Sequence, residues 1–418
     1  MTFLQPRYWN AFRCIGAECE DTCCAGWIVN VDKPAWDAYQ RCNDPELAPR
    51  LREFVTINPE RTSDDNHARL TLTASGCAFL SNGLCSIQSK LGEESLPYVC
   101  AVYPRVTTAV DDMLFRSLDL SCPEAARIVL LDPNPIEFVH EERELPGRLP
   151  SKLTRLSTSD EGSSKPYRHF DEIHDFVVWL LQYRAYPLWK RLAILGLFCD
   201  RLQQIVEAKQ PEQAPPIIEE FRNVIGLGLL EQALNNLPVR RSAHLQLVLE
   251  LIVARIGSDY TAPRFLECYR EFMEGLEWTA ESTMDEIGDR YSSAFAQFYE
   301  PFLLGHGYML EHWLVSYVHR TLFPLRAQEA QQEGGNHLPE SIRDQCLLMT
   351  VHYAVIQTVL VGMARFHQAA FGPDHVVKVV QAAGRAFGHS LSFPPQALQF
   401  LAEKKLQSCA SLAILVGT

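Results

Sequence analysis

From residue 169 onward, apolar positions recur at helical spacing. Within Asp171–Gln204, Phe176, Leu180, Leu181, Leu188, Leu192 and Leu195 fall on one face, and Pro187 divides the stretch into two helices. The same periodicity predicts helices over Pro216–Ala233, Ser242–Ile256, Ala262–Leu276, Met284–Phe302, Met309–Leu322, Pro339–Phe366, His375–Phe387 and Pro395–Ala410. No β-branched alternation interrupts them and no fixed-period repeat is present, so this part reads as all-α. Upstream the pattern changes. Short alternating stretches at Trp27–Val31, Arg69–Thr73 and Met113–Leu118 predict strands, and Pro34–Cys42 predicts a helix. Between the two patterns, Glu144–Tyr167 is rich in Pro, Ser, Gly and charge, which marks a linker. The expected architecture is mainly α. A small, irregular, cysteine-rich metal-binding domain with short strands covers 1–143, a linker 144–168, and an all-α helical domain 169–418.

One run approaches membrane-spanning length. Cys346–Ala364 holds 19 residues without a formal charge, but it includes His352 and Gln357 and has no second span beside it. It reads as the central helix of an α-bundle. The 418 residues exceed one compact core and suffice for two or three. Lys and Arg number 38 against 51 Asp and Glu, a formal net charge of −13. That balance argues against nucleic acid as a partner, because counterion release needs clustered Lys and Arg. No basic segment followed by an apolar one opens the sequence, so the expected location is the cytoplasm, with no membrane partner.

Cysteine changes the picture most. Nine of the 13 cysteines (Cys14, Cys19, Cys23, Cys24, Cys42, Cys77, Cys85, Cys100 and Cys122) fall in the first 122 residues. In a reducing compartment such a cluster reads as a metal site rather than a disulfide framework. The spacings are C-x4-C-x3-C-C at Cys14–Cys24, C-x7-C at Cys77–Cys85, then Cys100 and Cys122. A zinc ribbon uses tight C-x2-C knuckles, and none occurs here. Wider spacings suit an iron–sulfur cluster, with zinc as the alternative. Cys42 lies apart in a helical stretch. That leaves eight candidate ligands, Cys14, Cys19, Cys23, Cys24, Cys77, Cys85, Cys100 and Cys122, enough for two four-thiolate sites or for one with spare thiols. The C-x3-C-x2-C pattern of radical enzymes that cleave S-adenosylmethionine is absent, since its third position here is Gly26. A purely structural metal is the competing reading, because binding energies of about 10–16 kcal/mol match or exceed the stability of a whole small domain.

The runs FRCIGAECEDTCCAGWIVNV (Phe12–Val31), CAFLSNGLCSIQSKLGEESLPYVCAVYPR (Cys77–Arg105) and LSCPEAAR (Leu120–Arg127) resemble the bacterial flagellin lysine-N-methylase family, which includes cysteine-cluster proteins described as zinc- or iron-chelating. Weaker likeness continues through RLAILGLF (Arg191–Phe198), YMLEHWLVSYVHRTLFP (Tyr308–Pro324) and the stretch Tyr353–Gly362. The resemblance implies methyl transfer from S-adenosylmethionine to flagellin lysines in the cytoplasm, and an iron–sulfur cluster, of the 4Fe-4S type, in the same protein. No strand-Gly-x-Gly-helix unit for the donor is visible. The nearest match, Gly226-Leu-Gly228, lies in a helical pattern.

Such chemistry needs a neutral lysine amine, which at neutral pH costs roughly 4 kcal/mol to form. Desolvation or a nearby base can supply this, and a sulfonium donor favours aromatic faces. Three groups fit. Beside Cys100 are Tyr98, Tyr103 and Arg105, with Tyr103 as a base, and Arg105 and Tyr98 toward the donor, the guanidinium fork suiting its carboxylate. On one helix are Glu311, His312 and Tyr317, with Glu311 and Tyr317 in catalytic roles. Gln381, Arg385 and His389, at i, i+4 and i+8, form a donor-binding stripe if the helix persists to His389. Ring packing and solvated faces are the competing reading of all three. The competing function is a non-enzymatic metal-binding interaction or electron-transfer protein.

Overall fold

The computed structural model describes residues 2–25, 29–73, 76–142, 155–159, 163–237, 241–257, 262–325, 341–407 and 415–416. The chain divides into two compact units that interleave in sequence. The first comprises Met1–Ala125 and Phe138–Thr154, the second Ala126–Glu137 and Arg155–Thr418. Most of the expected linker, 143–154 and 160–162, lies outside the described residues.

In the first unit, strands β1 (Thr2–Pro6), β2 (Asn30–Val31), β3 (Val55–Ile57) and β4 (Ala68–Leu70) are followed by two-residue ladders, β5 (Leu72–Thr73) with β6 (Gly76–Cys77) and β7 (Leu80–Ser81) with β8 (Leu84–Cys85). Then come β9 (Arg105–Val110), β10 (Met113–Leu118) and β11 (Phe138–Glu142). The main sheet runs β11-β1-β10-β9. β1 is parallel to β10 (Phe3 opposite Leu114) and antiparallel to β11 (Phe3 opposite Glu141). β9 and β10 form a hairpin that pairs Val110 with Met113 across the Asp111–Asp112 turn. A second sheet, β2-β4-β3, packs with helices α1 (Lys33–Gln40) and α2 (Leu47–Phe54) around Val31, Tyr39, Leu51, Leu70, Phe79 and Ile87. Two short helices, α3 (Ser86–Leu91) and α4 (Tyr98–Val102), precede β9, and α5 (Pro123–Leu130) follows β10, its residues from Ala126 onward belonging to the second unit. Buried Asp32 caps two of these helices at once. One oxygen accepts from Ala35 N at the start of α1 (3.2 Å), the other from Tyr98 N at the start of α4 (2.6 Å). The strand at Met113–Leu118 matches expectation. Of Trp27–Val31 only Asn30–Val31 is strand, with Trp27 and Ile28 outside the described residues.

The second unit is helical: α6 (Phe170–Leu181), α7 (Leu188–Glu207), α8 (Ala214–Gly226), α9 (Glu231–Asn235), α10 (Arg241–Ile256), α11 (Pro263–Gly275), α12 (Met284–Ala294), α13 (Glu300–His306), α14 (Tyr308–Thr321), α15 (Ile342–His367), α16 (Pro373–Ala383) and α17 (Phe393–Glu403). Pro187 sits at the N-cap of α7, where a missing N–H costs nothing. The periodicity missed three interruptions. A turn through Gly228 (φ +69°) separates α8 from α9, and π-type turns at Phe295–Tyr299 and Gly384–Gly388 interrupt the expected single helices. The second of these ends at Gly388, so the helix does not persist to His389 and the even i, i+4, i+8 stripe is not formed.

α15 is the central helix. Its 18-residue apolar window has mean hydropathy 1.7, enough by length and composition to cross a membrane, yet 94% of that window is buried inside the protein. It packs on α7, α10, α11, α12, α14, α16 and α17. Its contact with α11 is backbone on backbone. A Cβ at Gly275 would lie 2.0 Å from the Gly362 carbonyl oxygen, and one at Gly362 would lie 2.8 Å from the Phe272 carbonyl oxygen. Neither obstacle is a movable side chain. Gly275→Ala is therefore expected to lower stability by about 1–3 kcal/mol, read as a reduced urea midpoint with an unchanged slope.

Candidate functional site

The eight candidate cysteine ligands all lie in the first unit and are free thiols. Backbone contact brings the first motif to the second, because Cys77 N donates to the Cys24 carbonyl (2.6 Å). Gly76, at φ +115°, makes this approach possible, since a Cβ there would meet the same carbonyl at 2.9 Å. Their fields link the thiols into neighbourhoods. Cys24 acts on Cys77, Cys85 and Cys100, while Cys14 acts on Cys19 and Cys122. Cys23 feels Cys24, Cys100 and Cys14. Burial pushes Cys77 and Cys122 up to about 11 and raises Cys19, Cys85 and Cys100. A hydrogen bond with Cys23 lowers Cys24 to about 6. Among the described residues, no three His, Cys, Asp or Glu side chains close around a point that would hold a metal ion. The donor set still fits a soft metal by its chemistry, since it consists of thiols, the ligands that zinc and iron–sulfur clusters select.

The three neighbours of Cys100 are engaged within the same unit. Tyr98 opens α4 on the Asp32 cap. The Tyr103 hydroxyl pairs with Ser121 Oγ at 2.9 Å, and burial holds its phenol well above the usual value. Arg105 donates to the Phe12 carbonyl (3.1 Å) and stacks on the Phe12 ring (4.9 Å), fastening the first cysteine motif.

Glu311, Tyr317, Gln381, Arg385 and His389 belong to the second unit, and the structure does not bring them all to one place. Glu311, with no exposed surface, lies between two guanidinium groups. Its Oε1 accepts from Arg184 Nε (3.0 Å) and Nη2 (2.8 Å), and its Oε2 accepts from Arg184 Nε (3.1 Å) and Arg191 Nη1 (2.7 Å). Arg191 also donates to the Leu181 carbonyl. His312 Nδ1 donates to the Val129 carbonyl (3.1 Å), which leaves Nε2 as an acceptor 3.5 Å from Arg184 Nη2. Burial lowers the His312 imidazole, so it is neutral. Arg184 Nη1 donates to the Pro133 carbonyl (3.2 Å), and Gln182 brackets the backbone of Ile136. With both oxygens occupied, Glu311 is a positioning group for Arg184 and Arg191 rather than a free proton acceptor.

Above this triad opens a cleft of about 500 Å³, within the usual size of small-molecule sites. Its walls are aromatic (Tyr186, Trp189, Phe295, Tyr308, Tyr353), and Gln357 and Glu300 also line it. Phe295 comes from the first π-type turn. Tyr317 lines a separate cavity of about 40 Å³ together with Trp313, Arg320, His352 and the second π-type turn, at Gly384 and Gly388. Gln381 and Arg385 are buried on that same segment, and His389 caps it.

Arg184, Arg191 and Gln357 escaped the sequence reading. The available clue was a charged or amide side chain inside an apolar helical run, which must find a partner when buried. Arg191 opens RLAILGLF, and Gln357 interrupts the uncharged stretch of α15.

The aromatic cleft and the ion triad on its floor both belong to the helical second unit. The chain belongs to the family of the FliB lysine N-methylase C-terminal domain, whose profile matches residues 174–415. It is 27% identical over 135 residues to a lysine-N-methylase of Salmonella typhimurium, a match covering 32% of this chain and 34% of that protein. Identity is also 27% over 135 residues to the flagellar biosynthetic protein FliU of Salmonella muenchen, covering 80% of the latter. The chain thus spans about a third of the length of the lysine-N-methylase it matches. No solved structure matches.

Two outcomes follow from this geometry. Glu311→Gln leaves the buried Arg191 guanidinium without its counter-charge, while Arg184 is exposed to solvent, and should cost about 3 kcal/mol, measured by urea denaturation. His352, whose Nε2 is buried without a hydrogen-bond partner among the described residues, is lowered by burial from 6.5 to about 4. The unfolded chain takes up this proton first. Its contribution to stability is therefore complete above pH 6.5 and lost as pH falls toward 4, by about 3 kcal/mol. His352→Leu should flatten the stability profile in that interval.

Proposed function

We propose that this chain is a protein-lysine N-methyltransferase that takes its methyl group from S-adenosylmethionine and acts on flagellin. The observation that carries the reading is the family match over 174–415, the span that also supplies the triad and most of the cleft. In the reaction the carbon–sulfur bond of the sulfonium breaks as the lysine nitrogen forms its bond to the methyl carbon, and the ammonium gives up a proton to solvent. The cleft suits these demands: aromatic faces accept a sulfonium, and a desolvated site beside guanidinium charge favours the neutral amine.

The first unit would hold an iron–sulfur cluster on thiols drawn from Cys14, Cys19, Cys23, Cys24, Cys77, Cys85, Cys100 and Cys122. When bound, such a cluster supplies redox-active iron and a rigid frame. The support is the all-thiol donor set and the backbone contact that brings Cys77 to Cys24. The cytoplasm is the compartment in which these thiols stay reduced.

Purified protein, kept anaerobic and mixed with S-adenosylmethionine and flagellin, should raise the flagellin mass by multiples of one methyl group. Iron and sulfide in matching amounts, with a broad visible charge-transfer band, should accompany the protein. Unmodified flagellin from iron- and sulfide-replete protein would overturn the methylase reading. Stoichiometric zinc without sulfide would overturn the cluster.

A further inference from the structure

The floor of the cleft carries an unbalanced charge. Arg184 and Arg191 bring two positive charges to the single negative charge of Glu311, and His312 beside them is neutral. Tyr353 adds nothing, since burial holds its phenol above the usual value. The further carboxylates nearby, Glu300 on the cleft lining and Asp132 near His312, are both solvent-exposed and correspondingly screened. The floor thus carries one net positive charge, shared between buried Arg191 and the solvent-exposed Arg184 around a Glu311 that has no exposed surface. Such a charge calls for an anionic group from a ligand.

Two polar atoms at the cleft lining are also buried and unmatched. Among the described residues, Arg191 Nε, a donor, and Gln357 Oε1, an acceptor, have no hydrogen-bond partner. Gln357 is 3% exposed and lies one helical turn beyond Tyr353 on α15, so both side chains share a face. Buried polar atoms are normally paired, and those that are not mark a place where something else completes them. An anionic acceptor for the floor and a donor for Gln357, carried on a body that packs against Tyr186, Trp189 and Tyr308, describe an α-amino acid with a large apolar or aromatic extension.

We propose that this cleft is the methyl-donor site. Arg184 and Arg191 take the carboxylate of the amino-acid end of S-adenosylmethionine, Gln357 accepts a hydrogen bond from its ammonium, and the aromatic walls face the remainder. The assignment rests on the methylase reading above. It places the donor in the helical unit rather than at Tyr98 and Arg105 or on the Gln381–His389 segment.

The test uses the full-length protein and titration calorimetry with S-adenosylhomocysteine, which keeps the amino-acid end, and with methylthioadenosine, which lacks it. Wild-type protein should bind S-adenosylhomocysteine. Gln357→Leu should weaken that binding tenfold or more and leave methylthioadenosine within twofold, with the melting temperature confirming the fold. Gln357→Met, a second apolar replacement, should repeat the pattern if leucine disturbs packing. Wild-type affinity for S-adenosylhomocysteine in both variants would overturn the assignment while leaving the methylase reading intact. A parallel loss of both ligands would overturn it as well, because Gln357 would then act through the fold. Wild-type protein that neither binds S-adenosylhomocysteine nor modifies flagellin would overturn the methylase reading and this assignment together.

Discussion

The carboxylate of Glu311, sealed from solvent and gripped by Arg184 and Arg191, is the constraint on which the second unit is arranged. Burying the charges of Glu311 and Arg191 is costly, and the attraction within the triad, which the more exposed Arg184 completes, offsets the cost only when every carboxylate oxygen is matched. That requirement fixes α14, which carries Glu311, against the start of α7, which carries Arg191, and against the turn holding Arg184. The same groups reach outward to Pro133, and His312 beside them to Val129, so the 126–137 segment is tied to the triad by its carbonyls. The pairing specifies one arrangement of these elements more than it adds to net stability. The cleft above it inherits both its floor and its charge from this arrangement.

Helix content was legible in the sequence because burial of one face imposes a 3.6-residue period, and Pro187 marked a true boundary. The turn at Gly228 and the two π-type turns were not legible, since they interrupt helices without changing the apolar count. The first unit was harder. β1, β9 and β11 went unread because they gain their meaning only from one another: β1 is a strand by pairing with residues more than a hundred positions away. Of the candidate site, Glu311 was singled out for a catalytic role, but its pairing with Arg184 and Arg191 was not legible. A carboxylate on a helix face looks the same in sequence whether it meets a substrate or two arginines. Tyr103 and Arg105 illustrate the same limit, since their partners Ser121 and Phe12 are set by tertiary contact.

Sequence order also misstates how the thiols are grouped. Cys23 and Cys24 are neighbours in the chain, yet Cys24 couples to Cys77, Cys85 and Cys100 while Cys14 couples to Cys19 and Cys122. The two adjacent residues stand at the junction of two neighbourhoods. The device that joins them is small: one glycine, Gly76, whose missing side chain lets Cys77 hydrogen-bond to the Cys24 carbonyl. Spacing counts thiols but cannot show such a backbone contact.

The burial of α15 has a consequence for how the chain is made. Its apolar surface is covered partly by α16 and α17, which follow it in sequence. A ribosome that has just released α15 therefore presents a long helix, uncharged over Cys346–Ala364, whose cover is still incomplete. Until Phe393–Glu403 emerges, nothing in the sequence distinguishes that segment from a spanning one except His352 and Gln357. The two polar side chains that seem misplaced in the finished core are thus also the nascent chain's own mark against insertion into a lipid bilayer.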